Sequence, residues 1–216
     1  MSAVAARSVP ADPDTPDNPD NPDTSDGRHA RRERNRLAVV DAMLSLYHEG
    51  NLEPSSDEIA ARADLSPRSL FRYFDDLDDL VRVAVSRQYE RVRALAELDL
   101  STDATLAARV DRLVQQRLRL IAATSSVGRV TRLREPFQPL IAEQLTEGRR
   151  LLRAQVKRLF APEFAAMSSG RAATALAAID VLTSFEAVQL WRDDQTLSPA
   201  QIVATLTDSL TRLLEA

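Results

Sequence analysis

The 216-residue sequence contains no cysteine and only two histidines, His29 and His48. It therefore offers no disulfide framework, no thiolate zinc site, no cysteine nucleophile and no histidine-rich metal site. Aromatic residues make up only 5% of the chain, and no apolar run approaches the roughly 18 residues that a membrane span requires. No apolar signal-peptide segment follows Met1. We therefore expect a cytoplasmic protein with no membrane span, no metal and no cofactor.

The net charge of −4 argues against a nucleic-acid partner until the charges are located along the chain. Residues 1–27 carry −5, and they contain six Asp and five of the eleven Pro. Residues 28–36 carry +4, residues 37–80 carry −7, and residues 81–216 carry +4. The acidity thus lies in two segments, 1–27 and 37–80, and the arginine-rich segment 28–36 lies between them.

The Pro- and Asp-rich segment over 1–27 is predicted to be a disordered acidic tail. Proline removes backbone donors and the aspartates repel one another, so the segment cannot bury enough apolar surface to fold. Two interpretations stay open: a solvated linker, or a regulatory tail that competes for the arginines at 28–36.

Apolar residues recur at helical spacing from Arg31 onward, and no alternating strand pattern occurs, so the fold class is predicted to be all-α. A first helix ends at Gly50, and a fourth begins at Leu77. Ser55 and Glu58 form a capping-box pattern, and Ser66 precedes Pro67 as an N-cap. The remaining predicted helices lie at 55–63, 66–74, 104–124, 127–133, 136–160, 170–192 and 199–215.

Two short helices joined by a three-residue turn have the geometry of a helix-turn-helix, whose second helix enters the DNA major groove. The stretch 59–85 reads IAARADLSPRSLFRYFDDLDDLVRVAV. With the arginine-rich helix before it, it closely resembles the DNA-binding domain of TetR/AcrR-type transcriptional regulators. Residues 184–214 resemble the last two helices of such proteins. The resemblance implies a helix-turn-helix domain over 28–80 and an effector-binding and dimerisation bundle over 81–216.

Three positions depart from the family pattern. Asp64 replaces the turn glycine, and aspartate tolerates the left-handed backbone that this turn needs. Phe71 replaces a tyrosine and so lacks its hydroxyl, although with Leu70 and Phe74 it is predicted to form the apolar side of the third helix. Leu77 replaces a lysine among the acids of 75–79, which would repel a nearby DNA backbone.

The DNA contacts are predicted from residue chemistry placed on this framework. Arg68, early in the third helix, is the best candidate for bidentate bonds to guanine, and Ser69 is a weaker one. Arginines neutralise phosphates, and backbone N–H groups at a helix start bind them. The predicted DNA-binding set is Arg28, Arg31, Arg32, Ser55, Ser56, Ser66, Arg68, Ser69, Arg72 and Tyr73.

The second half is predicted to bind an effector and to dimerise. Residues 170–192 are apolar on two faces, and Ile202, Leu206, Leu210 and Leu213 form a stripe on the last helix. Each pattern also fits a monomer core, but the resemblance implies a homodimer through these helices and a pseudo-palindromic operator. The predicted pocket residues are Gln116, Phe137, Gln144, Thr183, Phe185 and Gln189, with Trp191 as a further candidate, although ordinary core packing competes for each.

The resulting hypothesis is a ligand-responsive, sequence-specific transcriptional regulator, a repressor released by a small hydrophobic molecule. The alternative is a helical protein-interaction module with a degenerate helix-turn-helix, favoured by the acidic stretch 37–80. An enzyme is not expected, because no nucleophile–base pair or phosphate-binding loop occurs. The aspartates of 75–79 could imitate a metal motif, but their place at a helix start explains them better.

Overall fold

The structure, a computed structural model, describes residues 22–215, and of residues 22–26 and 28 it describes the backbone alone. Most of the predicted acidic tail therefore lies outside the described residues. Its last part, 22–27, forms the first turns of a helix and does not match the predicted disorder. Helices make up all the regular structure of the described residues, which confirms the all-α fold class.

The helices of the first half follow the predicted order. A helix-turn-helix with short members is present, but its second helix is shorter than the predicted 66–74, because the chain leaves α-helical geometry after Leu70. The bounds are α1 Pro22–His48, α2 Ser56–Arg62, α3 Pro67–Leu70 and α4 Leu77–Val92, followed by a 3-10 helix at Arg93–Ala96.

The second half contains one continuous helix where two were predicted. Helix α5 runs through Ser125 and Ser126 without a break, because both serines are accommodated within an otherwise good helical sequence. The bounds are α5 Leu106–Arg134, α6 Pro139–Leu159, α7 Ala161–Ala166, α8 Ser169–Leu182, α9 Phe185–Gln189, a π-helical turn Leu190–Asp194, and α10 Pro199–Leu214.

The predicted helix over 170–192 is interrupted after Leu182. Thr183 ends α8 and its hydroxyl donates to the Ile179 carbonyl at 2.8 Å. Ser184 then caps α9 by accepting the Ala187 N–H. Serine and threonine hydroxyls compete with helical backbone bonds, and here the axis bends by 51°.

Two apolar cores organise residues 38–215. The first core surrounds the helix-turn-helix and joins it to α4, the end of α5 and the start of α6. Packing is therefore continuous across residue 80, and the predicted boundary between a DNA-binding and an effector-binding domain there stays a prediction. The fully buried members of the first core include Val39, Val40, Ile59, Ala60, Leu70, Leu80, Ala84, Val85 and Ile141.

The second core joins α5, α6, α8 and α10. It contains Ile202, Leu206 and Leu210, so most of the stripe predicted for dimerisation is buried within this chain, and Leu214 takes the buried position instead of Leu213. The α-helical period of 3.6 residues favours Leu214, four residues after Leu210, over Leu213. The other fully buried members include Val110, Leu113, Val114, Leu159, Phe160 and Ile179.

Within the described residues, 22–37 and 38–215 belong to separate compact units, and each is described by itself. Within residues 22–215 no single helix is both long and apolar enough to cross a membrane. The bent pair Ser169–Leu182 and Phe185–Asp194 meets the length and composition criteria only when its two parts are taken together.

Candidate nucleic-acid interface

The start of α2 is a complete capping box. Ser55 accepts the Glu58 N–H at 3.3 Å, and Glu58 Oε2 accepts both the Ser55 N–H, at 2.8 Å, and its hydroxyl, at 2.7 Å. The two bonds that Ser55 donates to the carboxylate lower the pKa of Glu58, and the backbone bond has the larger effect. A carboxylate already occupies the Ser55 N–H in this conformation, so the predicted phosphate contact there stays a prediction that requires this bond to open. Ser56, half-buried beside it, lies next to the same negative charge.

The turn between α2 and α3 has the predicted left-handed residue. Asp64 has φ 56°, and the next N–H, from Leu65, donates to the Ala60 carbonyl at 2.9 Å. Aspartate pays a modest cost for this conformation. The turn fixes the direction in which α3 leaves α2.

Helix α3 presents Arg68 to solvent. Ser66 caps the helix, Pro67 occupies its first turn, and the Ser66 hydroxyl accepts the Ser69 N–H at 3.2 Å. The hydroxyls of Ser66 and Ser69 also contact each other at 3.0 Å. Arg68 is exposed, and in the described part of the chain its side chain has no hydrogen-bond or ion-pair partner. Among the predicted contacts on α3, it is the donor left available for a ligand.

Arg72 and Tyr73 lie together after α3. The Arg72 guanidinium donates to the Tyr73 hydroxyl at 3.1 Å and lies 5.3 Å from the ring centroid. The Arg72 guanidinium and the Tyr73 hydroxyl therefore lie side by side, where one ligand could contact both. Phe71 corrects a prediction: it is 48% exposed, while Leu70 and Phe74 are buried. The turn that replaces the end of the helix places Phe71 outside the core.

The acids of 75–79 serve the start of α4. Asp76 caps the helix by accepting the Asp79 N–H at 2.7 Å, Asp79 pairs with Arg82, and Asp78 pairs with Arg134 at 3.0 Å. Carboxylates stabilise a helix N-terminus. Asp75 and Asp76 stay exposed, so this edge of the helix-turn-helix is negative.

Arg62 has a structural function that the sequence did not reveal. Its guanidinium bonds both carboxylate oxygens of Glu49, at 2.6 and 2.8 Å, and the Ser45 hydroxyl at 2.8 Å. The hydrogen bond from Arg62 lowers the pKa of Glu49. Arg62 thus ties α2 to α1 and is occupied, whereas Arg68 is not. No sequence motif marks the pair of Arg62 and Glu49, because a turn and most of α2 separate the two residues along the chain.

The arginine-rich segment belongs to the first compact unit. Arg31 and Arg32 are exposed on α1, and Glu33 pairs with Arg36 at 3.7 Å. The side chain of Arg28 lies outside the described residues. The segment presents positive charge along one helix, and such charge attracts the phosphates of a nucleic acid.

The predicted pocket residues have separate sets of contacts, and their place in one effector pocket stays a prediction. Phe137 is 80% exposed, beside an open depression lined by Asp75, Asp76 and Leu140. Phe185 lies against Gly128, where an added Cβ would come within 2.6 Å of its ring. Apolar spacing alone could not distinguish these positions.

The polar members of the predicted pocket are also used locally. Gln116 donates to the Leu95 carbonyl at 2.7 Å, and Thr183 bonds within its own helix. Gln144 donates to the Ser86 hydroxyl at 2.7 Å, but its own side-chain oxygen is buried without a partner. Gln189 accepts from Arg129 and Arg192. Residues 22–215 contain no group of acidic or histidine side chains arranged to hold a metal.

The fold and this site define a helical protein with a helix-turn-helix joined to a larger helical bundle. No protein-family model and no curated protein matches the sequence. Solved structures do match, and the chain has the fold of TetR-family transcriptional regulators.

Three of these structures illustrate the match. A TetR-family regulator from Streptomyces coelicolor is 18% identical, with 82% of this chain and 81% of that chain covered and a TM-score of 0.63. A putative TetR-family regulator from Mesorhizobium loti is 18% identical over 85% and 96%, with a TM-score of 0.60. The multidrug binding protein EbrR, complexed with imidazole, is 19% identical over 84% and 95%, with a TM-score of 0.55.

Proposed function

We propose that this protein is a sequence-specific DNA-binding transcriptional regulator. The observation that carries the proposal is Arg68: it is exposed and unpaired in the described structure, on the second helix of a helix-turn-helix. Such a helix enters the major groove, and arginine bonds guanine O6 and N7 together.

The other contacts divide by chemistry into base and phosphate partners. Arg72 with Tyr73, and the hydroxyls of Ser66 and Ser69, are placed beside Arg68 and suit phosphate or edge contacts. The exposed arginines of the first unit, including Arg31 and Arg32, with Arg28 before them, supply sequence-independent affinity.

The protein acts as a homodimer on a pseudo-palindromic operator. With the α10 stripe buried in the second core, the surfaces left for a partner on this side are those of α8 and the turn after α9. Val181 is 65% exposed and Leu190 53% exposed there. We further propose that it is a cytoplasmic repressor released by a small molecule with an apolar body.

Selection of binding sequences from a random DNA pool, followed by fluorescence anisotropy, tests this function. Arg68→Ala is expected to relax discrimination at one base pair per half-site, a loss of about 1–3 kcal/mol. Arg158→Ala, an exposed arginine on α6, is the control and leaves the preference unchanged. Uniform weakening across all operator variants would contradict the assignment of Arg68 to base contact.

The arginine segment has its own measurement. Replacing Arg31 and Arg32 by Ala should reduce the slope of log affinity against log salt, by up to roughly one unit per lost phosphate contact, without changing sequence preference. A slope equal to that of the wild type would remove these residues from the interface.

A protein-interaction module is the second candidate. The exposed carboxylates Asp75 and Asp76 favour it, because they place negative charge where a DNA backbone would pass. If the pool yields no enriched sequence while the protein is folded and dimeric, this alternative replaces the first.

A further inference from the structure

Arg117 is a charged side chain in the interior of the second half. It lies on α5, one turn after the core residues Leu113 and Val114, and is only 1% exposed. Burying a charge costs several kcal/mol unless a partner of opposite sign and hydrogen bonds compensate for it. The partners of Arg117 therefore decide what this residue is for.

Those partners are neutral. The guanidinium donates to Gln116 Oε1, to Gln155 Oε1 at 2.9 Å and to the Leu152 carbonyl at 2.9 Å. None of the ion pairs in residues 22–215 includes Arg117. Asp180 attracts it only by a Coulomb interaction without direct contact, and the Asp180 carboxylate pairs with Arg153 at 3.2 Å. The hydrogen bonds are made, but the positive charge is not neutralised by direct contact.

A second buried arginine on the same helix gives the contrast. Arg109 is 4% exposed and bonds both carboxylate oxygens of Glu163, at 2.5 and 2.8 Å. The bond to Glu163 raises the pKa of Arg109, whereas burial lowers the pKa of Arg117 to about 10. Arg117 still carries its charge at neutral pH, so one buried cation on α5 has its anion and the other does not.

The two glutamines that contact Arg117 also hold the end of α4. Gln116 donates to the Leu95 carbonyl and Gln155 to the Ala96 carbonyl, each at 2.7 Å. These carbonyls belong to the 3-10 helix that follows α4. The same α4 carries Leu80 and Val81 of the first core, next to the helix-turn-helix.

We propose that Arg117 is the anchor for an anionic effector, a monocarboxylate with an apolar body. The proposal rests on the proposed regulatory function, since it names the class of molecule that the effector domain takes. A carboxylate supplies the missing charge and matches the guanidinium bidentately. One arginine balances one negative charge, whereas a doubly charged phosphate would leave a buried excess.

Binding has a structural consequence at α4. The carboxylate takes the Arg117 donors that now hold the oxygens of Gln116 and Gln155. The two amides then lose the orientation in which they donate to Leu95 and Ala96. The last turn after α4 is released, and α4 connects this release to the first core.

Isothermal titration calorimetry of the full chain with octanoate tests the proposal, with 1-octanol as the uncharged ligand of equal chain length. Octanoate is expected to bind at least about tenfold more tightly than octanol, because only the acid pairs with Arg117. Arg117→Met should remove this preference, and Arg117→Lys, which keeps the charge without the bidentate geometry, should retain part of it. Arg119→Met, an exposed arginine on the same helix, is the control and keeps the wild-type preference.

Three outcomes overturn the proposal: no saturable octanoate binding to the wild type, equal affinity for octanoate and octanol, or an unchanged preference in Arg117→Met. The first two need no variant, and if Arg117→Met fails to fold, a wild-type preference retained in full by Arg117→Lys also overturns the assignment. The titration contains no DNA. Failure here therefore leaves the DNA selection experiment unaffected, and failure of DNA binding leaves an octanoate site in place.

Discussion

The first and second cores differ in what they bury besides apolar side chains. Among residues 39–85, all of them described, no buried side chain is charged. Helix α5 of the second half buries two, Arg109 and Arg117. An apolar core resists rearrangement because every contact is lost together. The contrast predicts a rigid helix-turn-helix and changeable polar contacts in the second half.

The largest expected effect tests the apolar side of this comparison. Phe74→Ala should lower the free energy of unfolding by about 3–5 kcal/mol, because it removes a ring that is only 2% exposed. Phe71→Ala, three residues earlier and 48% exposed, should cost less than about 1 kcal/mol. Urea unfolding followed by circular dichroism measures both. Similar costs for the two variants would place Phe71 in the core after all.

The first core was largely predictable because its information is local. Capping patterns at Ser55 and Ser66, the left-handed Asp64 and the apolar spacing around Leu70 all concern residues within a few positions of each other. The exception is Phe71, which was predicted to be buried and is exposed because α3 ends at Leu70. No local pattern specified that end.

The second half was less predictable because its decisive contacts are distant in sequence. Arg117 meets Gln155 and Leu152 from another helix, and Arg109 meets Glu163. A helical wheel places both arginines on the apolar face of α5, but it cannot show whether a long side chain extends to solvent or stays buried. Among the DNA-binding candidates, Arg68 could be chosen from helix position alone and stays a prediction. That Glu58 occupies the Ser55 N–H could be seen only in the structure.

The next prediction compares the two buried arginines directly. Arg109→Met leaves Glu163 without its partner in a site where that side chain is 15% exposed, so we expect a cost of about 3 kcal/mol. Arg117→Met removes a charge that has no direct counter-ion. Its cost should stay within about 1 kcal/mol, because relief of the buried charge offsets the lost hydrogen bonds.

Chemical denaturation of both variants and of the double variant Arg109→Met/Glu163→Leu provides the measurement. Removing both members of the Arg109 pair should recover most of the loss, since no charge is then left unpaired. If Arg117→Met proved the more destabilising of the two single variants, the charge of Arg117 would have to be compensated within the chain. The contrast between the two arginines would then disappear.

The last comparison concerns the part of α5 that connects the cores. Val127 and Val130 belong to the first core, and Gly128 between them faces Phe185, which follows the end of α8. A Cβ at Gly128 would meet the ring at 2.6 Å, so Gly128→Ala should destabilise by about 1–3 kcal/mol through overpacking. Gly148→Ala in α6 has open space and should instead stabilise by roughly 0.5–1 kcal/mol, because alanine favours the helix.

Combining Gly128→Ala with Phe185→Leu separates steric conflict from a general change in α5. The smaller side chain makes room for the added methyl group, so the double variant should be less impaired than the sum of its single variants, as a double-mutant cycle would reveal. Strict additivity would mean that the ring and the helix do not constrain each other. In that case α4 would be left as the main mechanical connection between the second half and the helix-turn-helix. Gln116 and Gln155 hold the 3-10 helix at its end, and the first core holds its start.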